Sequence, residues 1–422
     1  MPRLSSLVLK TLAGLGITLP AGGIFGDWSA ATQQEKIQAS DKEAGDRFGM
    51  AVSISGDGNT AIVGAYYEDT GGAEVGAAYI YTKIGSSWAE QAKIQASDKQ
   101  EADFFGQSVY ISDDGNTAIV GAPREDTGGS LAGAAYVFVR SGSTWTQQAK
   151  IQASDKAVND YFGMAVSISG DGNTAIVGAF NKGGTGAAYI FVRSGSTWTQ
   201  QAKIQASDKE ANDLFGFSVS ISGDGNTAIV GAYFEDTGAF NAGAAYVFVR
   251  SGSTWTQQAK IQASDKQESD YFGYAVSISD DGNTAIVGAY YEDPGAADAG
   301  AAYIFVRSGS TWTEQAKIQA SDKEVADYFG FAVSISGDGN TAIVGAYYED
   351  TGANAAGAAY IFVRSGSTWT EQAKIQASDK EVNDQFGYSV SISGDGTTAI
   401  LGALWEDTGA NDAGAAYIFV AG

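Results

Sequence analysis

The heptapeptide Lys-Ile-Gln-Ala-Ser-Asp-Lys is written seven times, starting at Lys36, Lys93, Lys150, Lys203, Lys260, Lys317 and Lys374. Successive starts lie 57 residues apart, except for 53 between Lys150 and Lys203. A period of that length, filled with alternating apolar and polar residues and Gly-rich turns, fits the blades of a propeller and not the helix pairs of a solenoid. The third copy shows the unit: residues 165–169, 175–179, 187–192 and 198–206 each read as a strand rich in β-branched and aromatic residues. Asp-Gly-Asn and Arg-Ser-Gly-Ser supply the positive φ that tight hairpins need. Four antiparallel strands make one blade, and no stretch of the repeats has helical periodicity.

The strand count closes the ring. Seven sets of the first three strands begin near Phe48, Phe105, Phe162, Phe215, Phe272, Phe329 and Phe386, while seven fourth strands begin at positions 31, 88, 145, 198, 255, 312 and 369. The seventh set has no fourth strand behind it, so residues 31–39 are expected to complete that blade beside residues 415–420. Pairing first with last removes two open sheet edges. The expected fold is therefore all-β: a seven-bladed β-propeller of four-stranded antiparallel blades over residues 31–422, preceded by an apolar leader, residues 1–30. A clasp within one chain is the simpler arrangement, and a strand donated by a neighbouring molecule is the alternative. The clasp departs from the other fourth strands in one respect. It has Ala31 where they have Trp88, Trp145, Trp198, Trp255, Trp312 and Trp369, its own Trp28 comes three residues early, and Trp405 replaces a tyrosine of the repeat. Either Trp28 or Trp405 is a candidate for the empty indole slot.

Composition narrows the chemistry. The chain has no Cys and no His, which removes thiolate chemistry, the usual general base and the commonest transition-metal ligand. A net charge of -24 argues against nucleic acid and anionic membrane surfaces as partners. The same acids recur in almost every blade, whereas an active site needs one constellation of unlike residues. The expectation is a protein that is not an enzyme.

Phe48-Gly49 with Gly64-Ala65, and Phe105-Gly106 with Gly121-Ala122-Pro123, resemble FG-GAP repeats, the blades of integrin α-subunit propellers and of many bacterial and algal surface proteins. The resemblance covers residues 31–422. It implies a seven-bladed propeller, an extracellular or cell-surface location, and roles in cell adhesion and ligand binding. Phe is expected to fill the gap between blades and Gly to let backbones approach there. Such blades often hold calcium in the first hairpin, on acidic or amide side chains spaced two apart. Here that hairpin reads Ser53-Ile54-Ser55-Gly56-Asp57-Gly58-Asn59-Thr60-Ala61, with a single carboxylate. Calcium needs about six to eight oxygens, so Asp57 and its equivalents are expected to be turn residues.

Strand parity assigns the loops to faces. Turns after the first and third strands are short and Gly-rich and share one side, the first face. Turns after the second and fourth strands are long, acidic and aromatic and share the second face. Its recurring carboxylates are Asp41, Asp46, Glu68 and Asp69 in the first copy and Asp98, Asp103, Glu125 and Asp126 in the second. Three uses are open to them. Asp46 and its equivalents can cap loop amides while Glu68 and Asp69 stay solvated; these acids can hold calcium between loops; or the face can bind carbohydrate, with Tyr66-Tyr67, Tyr290-Tyr291 and Tyr347-Tyr348 as platforms. The third copy breaks the pattern, replacing the Glu-Asp pair by Phe180-Asn181-Lys182-Gly183-Gly184-Thr185.

Residues 1–30 read either as a secretory signal or as a retained apolar arm, too short and interrupted to span a membrane. As an arm, Leu4, Leu7, Val8, Leu12, Leu15, Ile17, Leu19, Ile24, Phe25 and Trp28 would dock on another subunit. The expected function is a non-enzymatic extracellular surface protein, an adhesive, self-assembling propeller scaffold that polymerises head to tail through this arm. Its partners are then itself, as homo-oligomer or filament, or an extracellular protein or glycan. The alternative is a soluble lectin-like module, calcium-dependent or not, that binds carbohydrate or protein.

Overall fold

A computed structural model of the chain describes residues 26–293 and 296–422. The arm residues Leu4, Leu7, Val8, Leu12, Leu15, Ile17, Leu19, Ile24 and Phe25 lie outside the described residues. The described chain forms seven antiparallel sheets of four strands each. Blade 1 comprises Ala51–Ile54, Thr60–Ala65, Ala77–Ile84 and Ser87–Ile94, and the later blades repeat it in order. The second strand, Thr-Ala-Ile-Val-Gly-Ala, is buried at every position because both its faces lie against other sheets. The fourth strand lies outermost and is only partly buried along most of its length. No helix among the described residues is long and apolar enough to cross a membrane.

The seams explain the repeat's punctuation. Phe105, fully buried, packs among Ile62, Ala78 and Ile80 of blade 1 and Val109, Ala118 and Tyr136 of blade 2. Its backbone N–H donates to the Val75 carbonyl across the seam at 3.1 Å. Gly64 faces the Gly106 carbonyl so closely that a Cβ on it would sit 2.0 Å from that oxygen. Blades thus meet backbone to backbone, which only a residue without a side chain permits.

The ring closes within one chain. Thr32–Ile37 pairs antiparallel with Ala415–Val420, Thr32 opposite Val420 and Ile37 opposite Ala416, and completes the seventh blade. In each fourth strand a bulge falls on the second Gln of Thr-Gln-Gln or its equivalent, Gln34 in the clasp and Gln91 in blade 1. The bulge turns this amide toward the next blade. There it accepts the tryptophan N–H: Trp88 Nε1 donates to Gln34 at 3.2 Å, Trp145 to Gln91 at 2.8 Å and Trp198 to Gln148 at 2.9 Å.

Trp28 resolves the missing indole and corrects its place among the arm residues. Asp27 caps a single 3₁₀ turn, Trp28–Ala30, which swings the indole back into the seam between blades 6 and 7. Trp28 is 0% exposed, and its Nε1 donates to the Gly396 carbonyl at 2.8 Å. A side chain so enclosed in its own ring has no surface left for a neighbour. Trp405 instead lies on the second face under the Arg47 guanidinium, 3.8 Å from the ring centre. The folded ring accordingly takes in residues from Gly26 onward.

Candidate functional site

The lysine that opens each heptapeptide organises the second face. Lys93 Nζ lies 2.7 Å from Asp41 Oδ2 and 2.6 Å from Glu68 Oε1. Tyr79 Oη donates to the other Asp41 oxygen at 2.8 Å, and Gln95 Nε2 to the other Glu68 oxygen at 2.9 Å. The same cluster recurs as Lys150 with Asp98 and Glu125, and as Lys36 of the clasp with Asp379 and Glu406. Burial pushes the Lys93 pKa down, but hydrogen bonds to Asp41 and Glu68 outweigh it and hold the ammonium above its usual value. Burial likewise raises the Asp41 carboxyl, and hydrogen bonds from Lys93 and Tyr79 bring it below the ordinary range. Glu68 is 3% exposed and Glu125 is also buried, so the expectation that the first acid of each Glu-Asp pair is solvated is wrong. Burying a carboxylate demands a partner, and the lysine 25 positions on supplies it. Asp69 and Asp126 are exposed as expected.

Asp46 is buried and accepts the Glu43 N–H at 2.7 Å, and Asp103 accepts that of Gln100 at 2.7 Å. These are the loop caps expected for that position. Burial pushes Asp46 up to about 6, and the charges of Glu68 and Asp69 add to it against the backbone hydrogen bond. Asp103, Asp213, Asp270, Asp327 and Asp384 are likewise raised to about 6, with burial the leading cause. Blade 3, which lacks the glutamate, solves the charge problem differently. Its Lys182 reaches the cap itself, 2.8 Å from Asp160 Oδ2.

Asp41, Glu68 and Asp46, named above as calcium candidates, already have partners of their own. The space between Asp41 and Glu68 is taken by the Lys93 ammonium, which an ion would have to displace. Among the described residues no three acidic side chains gather into a group that could hold a metal ion. In the first hairpin, Asp57 Oδ1 accepts from Ser55 Oγ at 2.6 Å and from the Asn59 N–H at 3.0 Å, a closed turn.

Nearer the axis the second face is aromatic. Phe217, Tyr233, Tyr274, Tyr290, Phe331, Tyr347 and Tyr388 form a belt in which neighbouring rings lie 4.3–5.5 Å apart. The tyrosine pairs belong to this belt: Tyr290 and Tyr291 meet edge to face at 75°, Tyr347 and Tyr348 at 88°. The residue before each Phe-Gly holds a left-handed φ between 53° and 59° in all seven blades, among them Phe104, Tyr161, Tyr271 and Tyr328. A bulky residue there costs roughly 1–3 kcal/mol, and such strain collects at sites of binding. Exposed apolar side chains stand on the same face: Val158, Phe240, Val325 and Val382, with Tyr348 of the belt, all in second-face loops, Val325 being 68% and Phe240 59% exposed. Ile84, at a first-face hairpin, is the other large exposed apolar residue among those described. The sequence reading missed Lys93 and its equivalents, and also Arg124, whose guanidinium lies 3.9 Å from the Phe104 ring centre. The signal for the lysines was available, a cation at fixed offsets of 25 and 52 positions from two acids.

A family model described as the FG-GAP repeat matches residues 31–81, 88–138, 145–191, 198–248, 255–305, 312–362 and 369–419. A search of curated proteins found no significant match. Among solved structures, hydrazine synthase of Kuenenia stuttgartiensis superposes with a TM-score of 0.56 at 13% identity, over 86% of this chain and 95% of that chain. At that identity the likeness concerns the fold alone.

Proposed function

We infer the role of this protein from the premise that the chain belongs to the FG-GAP repeat family: it is a non-enzymatic, surface-exposed adhesive propeller that takes its partners on the second face. The observation that carries this reading is the placement of Val158, Phe240, Val325, Tyr348 and Val382 in water on that one face. All five lie in loops of that face, and on this reading they are the positions a partner touches. The buried repeated acids are bound to lysines or to loop amides and so serve the scaffold, and the same acids recur from blade to blade with no singular constellation for chemistry. The test uses beads coated with the protein and cells of its source. Changing Val158, Val325 and Val382 together to Asp is expected to lower the adherent fraction about fivefold or more, while Ile84→Asp on the other face leaves it unchanged. Equal adhesion by the two variants overturns the reading.

Self-assembly is a second reading, favoured by where the chain enters the ring. Trp28 is bonded to Gly396, in a first-face hairpin, so residue 26 lies on the side opposite the apolar rim. A segment leaving there and docking on the second face of the next disc makes a directional, head-to-tail contact. Burying its large apolar side chains is worth roughly 1.5–3 kcal/mol each. Full-length protein is then expected to scatter light as particles many times the monomer mass, and a chain starting at Asp27 to scatter as single discs. Single discs in both samples overturn it.

A further inference from the structure

Between blades 2 and 3, among the described residues, no ring pair continues the aromatic contacts of the second face. Three positions of the repeat supply its rings, the residue after Phe-Gly and the two after Gly-Ala, as in Tyr274 and Tyr290-Tyr291. Blade 2 alone departs from an aromatic or large apolar residue at all three, with Gln107, Pro123 and Arg124. Where Tyr66 packs 5.3 Å from Phe104, and Tyr233 5.8 Å from Tyr271, the matching place beside Tyr161 has only the small ring of Pro123. These replacements open a cavity of about 270 Å³ between blades 2 and 3. Phe104, Tyr161 and Phe180 give it aromatic walls, and Tyr161 and Phe180 stack with their planes 22° apart. Arg124 and Gln107 supply its polar groups. The Arg124 side chain is exposed, and among the described residues it has no carboxylate within ion-pair distance, although the face is acidic.

We propose that this cavity binds an aromatic ring that carries a carboxylate. Its walls are rings of neighbouring blades, and the repeat's own first ring after Gly-Ala is replaced there by Pro123, so a planar ring fits among them. A guanidinium stacked on an aromatic wall keeps in-plane N–H donors of the kind a carboxylate accepts in pairs, and Gln107 also lines the cavity. The net charge of -24 disfavours anions, and polyanions most, so a bound carboxylate relies on Arg124 as its local counter-charge. The ring acid is either a free small molecule or the C-terminal aromatic residue of a peptide. The proposal rests on the second face being the contact surface, and it names the group recognised there.

The test is titration calorimetry of the full-length protein with phenylacetate, N-acetylphenylalanine and the uncharged N-acetylphenylalanine amide. Phenylacetate is expected to saturate one site with a dissociation constant of roughly 1 mM, in line with its size. Tighter binding of N-acetylphenylalanine identifies the peptide terminus as the source, and weaker binding the free acid. Arg124→Gln should weaken both acids about tenfold and leave the amide unaffected. Gln107→Tyr with Pro123→Tyr, which restores the residues of the repeat, should remove binding of all three at an unchanged melting temperature. No saturable binding by either acid, full binding by the double variant, or preference for glucuronate over phenylacetate overturns the assignment. The bead assay with the rim variants is read separately, so either idea can fail without the other.

Discussion

A chain starting at Asp41 is expected to lose its single cooperative unfolding transition, whereas one starting at Gly26 melts like the full-length protein. The shorter chain lacks Thr32–Ile37, so Ala415–Val420 becomes an open edge in the middle of the ring. It also loses Trp28 and Ile37, both buried, worth roughly 1.5–3 kcal/mol each or more. Lys36 goes with them, leaving Asp379 without its cation and Glu406 buried without a counter-charge. The midpoint should fall by about 10 °C or more, with a broadened transition by calorimetry. The seam resembles a hairpin cut open, since the Gly422 N–H donates to the Asp27 carbonyl at 3.0 Å. A permuted chain that starts at Asp41 and carries residues 26–40 after Gly422 through a short Gly-rich turn should therefore recover the full midpoint. Unchanged melting of the truncated chain refutes the clasp; failure of the permuted chain shows that the loss came from something other than the missing strand.

The protein is expected to be more stable near pH 5 than at pH 7.5. Asp46, Asp103, Asp213, Asp270, Asp327 and Asp384 titrate near 6 in the folded state, against an ordinary value of 3.8. Burial and the neighbouring Asp113 charge raise Asp280 to about 7. A carboxyl raised on folding binds its proton more tightly in the native state, so stability falls as pH climbs from the unfolded value through the folded one. Asp41, Asp98 and their equivalents act in the opposite sense, because burial is outweighed by hydrogen bonds from lysine and tyrosine. Their contribution is lost only as pH drops below about 4. The two groups leave a maximum between about pH 4 and 6, and the melting midpoint should rise by about 5 °C from pH 7.5 to pH 5. Asp213→Asn keeps an acceptor for the Glu210 N–H and removes one such charge. It should raise the midpoint at pH 7.5 and change it little at pH 5. A midpoint that falls steadily from pH 7.5 to pH 5 contradicts this account.

Most of the fold was legible because it is a counting problem. Seven Phe-Gly starts and seven fourth strands leave one slot and one unmatched strand, and the pairing of Thr32 with Val420 within the chain is the simpler of the two ways to join them. The Asp57 turn and the Asp46 cap were equally legible, since each is closed by residues two or three positions away. Glu68 was misread because its partner is not local: the loop after the second strand brings it beneath Lys93 only once the blade has formed. The cavity of blade 2 was harder still. It consists of what Gln107, Pro123 and Arg124 fail to fill, and a deficit of volume has no sequence signal until neighbouring rings are placed around it.

Seven near-copies in one chain offer a folding polypeptide many wrong neighbours, in its own ring or in another molecule. Most fourth strands are protected by adjacency, since each follows its partner after a two-residue turn, as Thr144–Ile151 follows Ala134–Ser141. The clasp has no such protection, because Thr32 must find Val420 from the opposite end of the chain. There the misplaced indole matters: Trp28, out of step with the repeat, reaches the Gly396 carbonyl, and a fourth strand intruding from another blade would bring its tryptophan in the ordinary position and leave that seat empty. One displaced side chain thus sets the closing strand apart from the six other fourth strands of the chain, while the rest of the sequence stays free to repeat itself.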